Sequence, residues 1–190
     1  MKTFANKHHL DVLAAYEAES FQTDKAAGEK SKMPSDQLFE PDNAAVINSF
    51  VSSTQDYRLL SYLTRLNYDY DNRYYIAGSF RRDGSSRLAP EHRWGNFWSA
   101  SAAWLINRES WFRADWVDML KLKASVGSQG NDNLGSKAES YYRYTDYREI
   151  LSSGDGVTSV LYQKGNPDIT WETNANLNVG VEFGLWDNRL

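Results

Sequence analysis

This 190-residue sequence predicts an all-β fold of antiparallel up-and-down strands, a β-barrel wall with one face to lipid and the other to a wet interior. Three observations carry that expectation. Long segments alternate apolar and polar residues with period two, which puts unlike side chains on the two faces of a strand. Residues of turn-forming type stand between two of these segments. The connections also alternate between short and long, as in barrels with tight turns at one end and long loops at the other.

Residues 59–87 organise the rest. In residues 59–70, Leu60, Tyr62, Thr64, Leu66, Tyr68 and Tyr70 fall in one phase, against Ser61, Leu63, Arg65, Asn67 and Asp69. Asp71 and Asn72 tolerate positive φ and predict a two-residue hairpin turn. Alternation then resumes with Tyr74, Ile76, Gly78 and Phe80 opposite Tyr75, Ala77, Ser79, Arg81 and Asp83. Aromatics near the strand ends and charge confined to one phase match a membrane-spanning hairpin.

Taken in order, residues 8–18 form the first strand, with His8, Leu10, Val12, Ala14, Tyr16 and Ala18 in one phase. Residues 20–56 read as a long polar connection with a short helix at 44–51, longer than compact domains ordinarily carry. Residues 84–94 form a loop, and residues 95–107 a fourth strand with Trp98, Ala100, Ala102, Trp104 and Ile106 in phase and Phe97 as an aromatic exception on the polar side. Residues 108–118 predict a turn of helix near a boundary. In residues 119–128, Leu120, Leu122, Ala124 and Val126 oppose Lys121, Lys123 and Ser125. A second long connection, 129–168, contains a candidate strand pair at 141–147 and 157–162. The last strand, 169–185, sets Ile169, Trp171, Thr173, Ala175, Leu177, Val179, Val181, Phe183 and Leu185 against Glu172, Asn174, Asn176, Asn178 and Glu182. Trp186-Asp187-Asn188-Arg189 echoes Tyr70-Asp71-Asn72-Arg73 and predicts another tight turn. Strands this long exceed the usual soluble length of about 5 to 6 residues.

Composition narrows the function classes. Net charge of -4 and the absence of a basic run argue against a nucleic-acid surface. There is no cysteine, which excludes disulfides and thiolate metal sites. No stretch is long and apolar enough for a membrane helix, but barrel strands escape that test because only alternate residues are apolar. The 12 Tyr and 7 Trp suit interfacial girdles. The amino terminus lacks a secretory leader, so the membrane reading expects an internal piece of a longer protein, with signal peptide and plug domain absent.

Several separated motifs resemble one family. They are Ser61-Tyr62-Leu63-Thr64-Arg65-Leu66-Asn67-Tyr68, Arg81-Arg82-Asp83-Gly84-Ser85-Ser86-Arg87, Arg93-Trp94-Gly95-Asn96-Phe97, Ser101-Ala102-Ala103-Trp104, Leu120-Lys121-Leu122-Lys123-Ala124-Ser125-Val126-Gly127, Gly130-Asn131 with Gly135, Asn166-Pro167-Asp168-Ile169-Thr170-Trp171-Glu172, and Asn178-Val179-Gly180 running to Asn188-Arg189-Leu190. Together, in this order over residues 57–190, they resemble the SusC/RagA-type TonB-dependent outer-membrane transporters of Bacteroidetes-like bacteria. Leu88 stands where the family has an aromatic, and Trp98 where it has a proline. The resemblance implies that residues 1–190 are a partial barrel domain of a 22-stranded transmembrane β-barrel with long extracellular loops. It also implies import of large nutrients, glycans or peptides, with a SusD-like surface lipoprotein and the TonB-ExbB-ExbD complex as partners. No cofactor and no covalent chemistry are implied.

Nothing in the residues argues for a reaction. His8 and His9 point to opposite faces of a strand and cannot share a metal ion easily. Asp83-Gly84-Ser85-Ser86 lacks the further acids of a calcium loop and reads as turn chemistry. Gly127, Gly130 and Gly135 precede no Lys-Ser/Thr and read as a strand end and loop, not a phosphate cradle. Glu172 and Glu182, about 33 Å apart at strand rise, cannot act as an acid/base pair. The candidate site residues are Arg65, Asn67, Arg81, Glu172, Asn174, Asn176 and Asn178, all on the expected inner face, where they would meet a plug, water or a passing solute. The alternative architecture is a secreted β-sandwich that binds carbohydrate, with the apolar phase as a core between two sheets.

Overall fold

A computed structural model describes residues 2–4, 7–37, 40–135, 143–153 and 156–186. Its strands are β1 (Lys2–Phe4), β2 (His8–Ser31), β3 (Val46–Tyr70), β4 (Tyr74–Ser85), β5 (Trp94–Leu105), β6 (Val117–Asn131), β7 (Tyr147–Ser153), β8 (Gly156–Gln163) and β9 (Glu172–Leu185). Seven form one antiparallel sheet in the order β1-β2-β3-β4-β5-β6-β9, while β7 and β8 make a separate hairpin. The expected up-and-down topology is therefore present. The connections 71–73 and 106–116 lie at one end, and 32–45, 86–93 and 132–171 at the other. The first end has the tight turn 71–73 and the second the long connection 132–171, but the expected short-and-long alternation is imperfect, since 106–116 is longer than 86–93.

The β3–β4 connection uses the residues expected of it, with one more than predicted. Asp71 and Asn72 have φ of 55° and 53°, Asp69 Oδ1 accepts from the Asn72 N–H at 2.8 Å, and Arg73 joins them before Tyr74 pairs with Tyr70. Asp and Asn reach this left-handed region because their short polar side chains bond locally.

The largest departure is the segment 20–56. No helix forms at 44–51: a 3-10 turn occupies Pro41–Asn43, and β3 begins at Val46. Strands β2 and β3 continue side by side to Ser31 opposite Val46, so the polar stretches Ser20–Ser31 and Val46–Arg58 are strand, not loop. Ladder partners supply what alternation could not, because a strand that leaves lipid can carry polar residues on both faces. Smaller corrections follow. The pair expected at 141–147 and 157–162 is displaced to Tyr147–Ser153 with Gly156–Gln163, and Tyr141 lies outside the described residues. The expected helical turn after β5 is a 3-10 turn at Ile106–Arg108. Ile169 and Trp171 precede β9. Trp186 has the positive φ of a turn, 51°, while residues 187–190 lie outside the described residues.

The strand register sorts the side chains onto two faces. One carries Leu10, Val12, Leu66, Ile76, Ala102, Leu122, Ala124, Val179 and Val181, joined in unbroken cross-strand rows. No second layer covers it among the described residues: Leu177 and Val179 are 74% and 79% exposed. The sandwich alternative requires these residues to share a dry core, and they do not. Aromatics bracket the apolar band. At the short-connection end Tyr70 stacks on Tyr74 and Tyr74 on Trp104, with Trp111 edge-on. At the other end Tyr16, Tyr62 and Trp94 run in contact. Tyr70 and Tyr62 stand about 26 Å apart along the strand, close to the height of a lipid-facing band.

A buried knot closes the long-connection end on the opposite face. Leu88, where the resemblance noted a departure, is fully buried, as is Ser85. Asp83 and Ser85 belong to β4, so this stretch is strand and not the turn that the sequence suggested. Ser85 donates to Asp132 at 2.5 Å, Arg87 lies 4.4 Å from the Tyr57 ring, and the Trp171 indole donates to the Arg93 carbonyl at 2.9 Å.

Candidate functional site: the concave polar face

The second face of the sheet is polar and concave. Its residues come from alternate positions of six strands, and the antiparallel register places them in straight rows. One row reads Asp11, Asn67, Ala77, Ser101, Ser125, Asn178 from β2 to β9. The next, away from the short turns, reads Leu13, Arg65, Ser79, Ser99, Gly127, Asn176. Long polar groups thus stand on the outer strands, while Ala, Ser and Gly floor the middle. All six residues of the first row line a trough of about 620 Å³.

The seven candidate residues all fall on this face. Asn67 and Asn178 share the first row, and Arg65 and Asn176 the second. Arg81 lies opposite Leu63 and Phe97, Asn174 opposite Gln129, and Glu172 opposite Asn131. Two of them form a local chain: Arg65 Nε donates to Asn67 Oδ1 at 3.2 Å, and Asn67 Nδ2 to Asp11 at 3.4 Å. Arg81 is held apart from them, donating from Nε to both Asp83 oxygens at 2.7 and 2.8 Å, and from its terminal nitrogen to Glu17 at 3.1 Å and Ser61 at 3.0 Å. Glu172 sits at the far rim, accepting from Asn131 at 3.0 Å. The seven are one surface, not one cluster.

Sequence reasoning missed the partners. Asp11 reaches Asn67 through the β2–β3 register, and Glu17 reaches Arg81 through that register and the β3–β4 one. Near the short-turn end Glu182 pairs with Lys123 and, at 3.4 Å, with Lys121. Their facing positions were legible from the phase of residues 119–128 and 169–185, and the up-and-down order makes these strands neighbours, but the register that sets Lys121 opposite Glu182 was not legible. Gly130 was read as part of a strand end and loop. It lies inside β6, and Phe97, the aromatic exception, packs there: a Cβ on Gly130 would fall 2.0 Å from the Phe97 ring. The ring meets Trp171 edge-on at 5.2 Å.

Electrostatics differ at the two ends. In the β5–β6 connection, Glu109 is 8% exposed and accepts from Tyr74 Oη at 2.5 Å, Trp104 Nε1 at 2.9 Å and Arg73 at 3.5 Å. Those hydrogen bonds, Tyr74's foremost, hold its carboxyl below the usual range against the opposing effect of burial. Beyond the girdle at the other end, burial and then the neighbouring Asp132 push the Tyr57 phenol well up, so it stays a neutral donor. No group of three His, Asp or Glu fit to hold a metal occurs among the described residues. The arrangement offers hydrogen bonds and charge to a solute or protein surface.

No family model matches the chain. It is 31% identical over its whole length to a TonB-dependent receptor of Formosa agariphila, spanning 18% of that protein. It is 32% identical over 155 residues, 80% of the chain, to the TonB-dependent receptor SusC of Bacteroides thetaiotaomicron, spanning 15% of it. The chain thus spans less than a fifth of the length of these curated relatives. Among solved structures, the RagAB peptide transporter superposes on 99% of the chain and 21% of its own, with a TM-score of 0.90 and 26% identity. Sequence, topology and the two-faced sheet agree: the chain belongs to the SusC/RagA-type TonB-dependent receptors and forms part of their β-barrel wall.

Proposed function

We propose that this chain is one stretch of the wall of an outer-membrane importer for large polar nutrients, oligosaccharides or peptides. The observation that carries the reading is the partition of one sheet into an uncovered apolar face and a concave polar face. A soluble protein would bury the former, whereas lipid covers it at no cost. In the complete receptor, a 22-stranded barrel, the concave face looks into a lumen that holds a plug domain. Arg65, Asn67, Arg81, Glu172, Asn174, Asn176 and Asn178 contact the plug, water or the passing solute. Residues 1–190 are part of the barrel domain.

Import is driven by the TonB-ExbB-ExbD complex acting on the plug, after a SusD-like lipoprotein delivers the solute at the long-loop side. No covalent step is required, and the protein is not an enzyme. The test is uptake of labelled oligosaccharides and labelled peptides by cells carrying the intact gene or a clean deletion. Loss of one class supports the reading and names the substrate. Unchanged uptake of both, with unchanged growth on each as sole carbon source, overturns it.

A further inference from the structure

Arg81 and Arg82 are adjacent in β4 and face opposite ways. Arg81 is tied into the concave face by Asp83, Glu17 and Ser61. Arg82 projects from the apolar face, exposed, beside its cross-strand neighbours Tyr62 and Asn96. Its guanidinium carbon lies 5.1 Å from the Trp94 ring, and it makes no ion pair among the described residues. Trp94 in turn stacks on Tyr62 and lies against Gly84, where a Cβ would come within 2.9 Å of the indole. The missing side chain lets the ring lie close to the sheet and present a platform.

The level of Arg82 decides what it can meet. It stands eight residues from Tyr74 of the short-turn girdle (82 − 74), about 26 Å of strand, at the opposite edge of the apolar band. A charge facing lipid costs about 2–4 kcal/mol at mid-band and about 0–1 at the edge. Arginine is thus tolerated here and would not be at Gly78 or Ala100. No acid shares this face on β4 or β5. On β3 the first is Asp56, about 20 Å beyond Tyr62. Arg58, on the same face, adds a second cation one girdle-width outward.

We propose that Arg82, backed by Trp94, seats the phosphate of an anionic lipid headgroup in the leaflet on the long-loop side. This rests on the reading of the apolar face as lipid-facing. Guanidinium meets phosphate oxygens two at a time, and its contact with the indole leaves its N–H edges directed outward to do so. The acyl chains continue over Phe80, Gly78 and Ala100 on the band below.

Native mass spectrometry of the intact receptor, purified with lipid A bearing two phosphates or with phosphatidylcholine, tests this. Wild type retains the phosphorylated lipid preferentially. Arg82→Gln retains about fivefold less, as expected for one basic group at a charged membrane surface, and Arg82→Lys keeps most of it. Millimolar inorganic phosphate does not compete, because the chains contribute to the affinity. Equal retention by wild type and Arg82→Gln, or one-for-one displacement by inorganic phosphate, overturns the proposal. Brominated acyl chains separate the two readings. If they quench Trp98 and Trp94 fluorescence while Arg82→Gln retains lipid normally, the lipid-facing assignment stands and only the headgroup seat fails. If they quench neither, both fail.

Discussion

Phe97 on β5 rests on the bare backbone of Gly130 on β6, where an added Cβ would fall 2.0 Å from the ring. The contact places an aromatic on the concave face and keeps it only 6% exposed. Gly130→Ala forces Phe97 off Trp171 and is expected to cost about 1–3 kcal/mol, the usual penalty for overpacking. Gly180→Ala meets only the flexible Lys123 side chain and should stay within about 0.5 kcal/mol. Thermal midpoints of the intact receptor, followed by heat-modifiable gel mobility, check both. Equal midpoints for the two variants contradict the packing account.

Arg81 neutralises Asp83, whose side chain is 10% exposed. Arg81→Ala leaves that carboxylate buried without its partner and should destabilise the receptor by about 2–3 kcal/mol. Adding Asp83→Asn should restore at least half of the loss. Urea titration of the double-mutant cycle measures it, and simple additivity would show that the pair is not coupled.

Neighbouring residues on β9 report which face meets hydrocarbon. Leu177→Arg should cost about 2–4 kcal/mol because it shares the mid-band row of Gly78 and Ala100. Asn178→Arg, turned to the trough, should change stability by less than about 1 kcal/mol. Refolding into bilayers across a urea series separates them. Similar values for both variants would mean that the faces are wrongly assigned.

Glu109 gives the short-turn end an acid dependence. Its folded-state carboxyl titrates below the unfolded value, so its contribution is fully present above the unfolded value, about 4.3. That contribution is lost as pH falls through the lower folded-state value. Wild type should therefore lose stability between neutral pH and pH 3 more steeply than Glu109→Gln, whose side chain does not titrate. Parallel pH profiles of the two melting midpoints would contradict this.

The alternation of residues 59–87 and 169–185, the Asp71–Asn72 turn and the separation of charged from apolar positions were all legible in the chain. They follow from the two-residue period of a strand crossing between unlike media, which is local information. The seven polar candidates could be assigned to one face for the same reason. Tertiary structure alone decided which of them meet. Glu17 reaches Arg81 across two strand pairings, and Asn178 joins Asn67 through four, because a register set by hydrogen bonds between distant segments leaves no periodic trace in either. It also decided that residues 20–31 and 46–58 are strand, since their polar side chains carry no alternation and only the paired backbone of the neighbouring strand holds them extended.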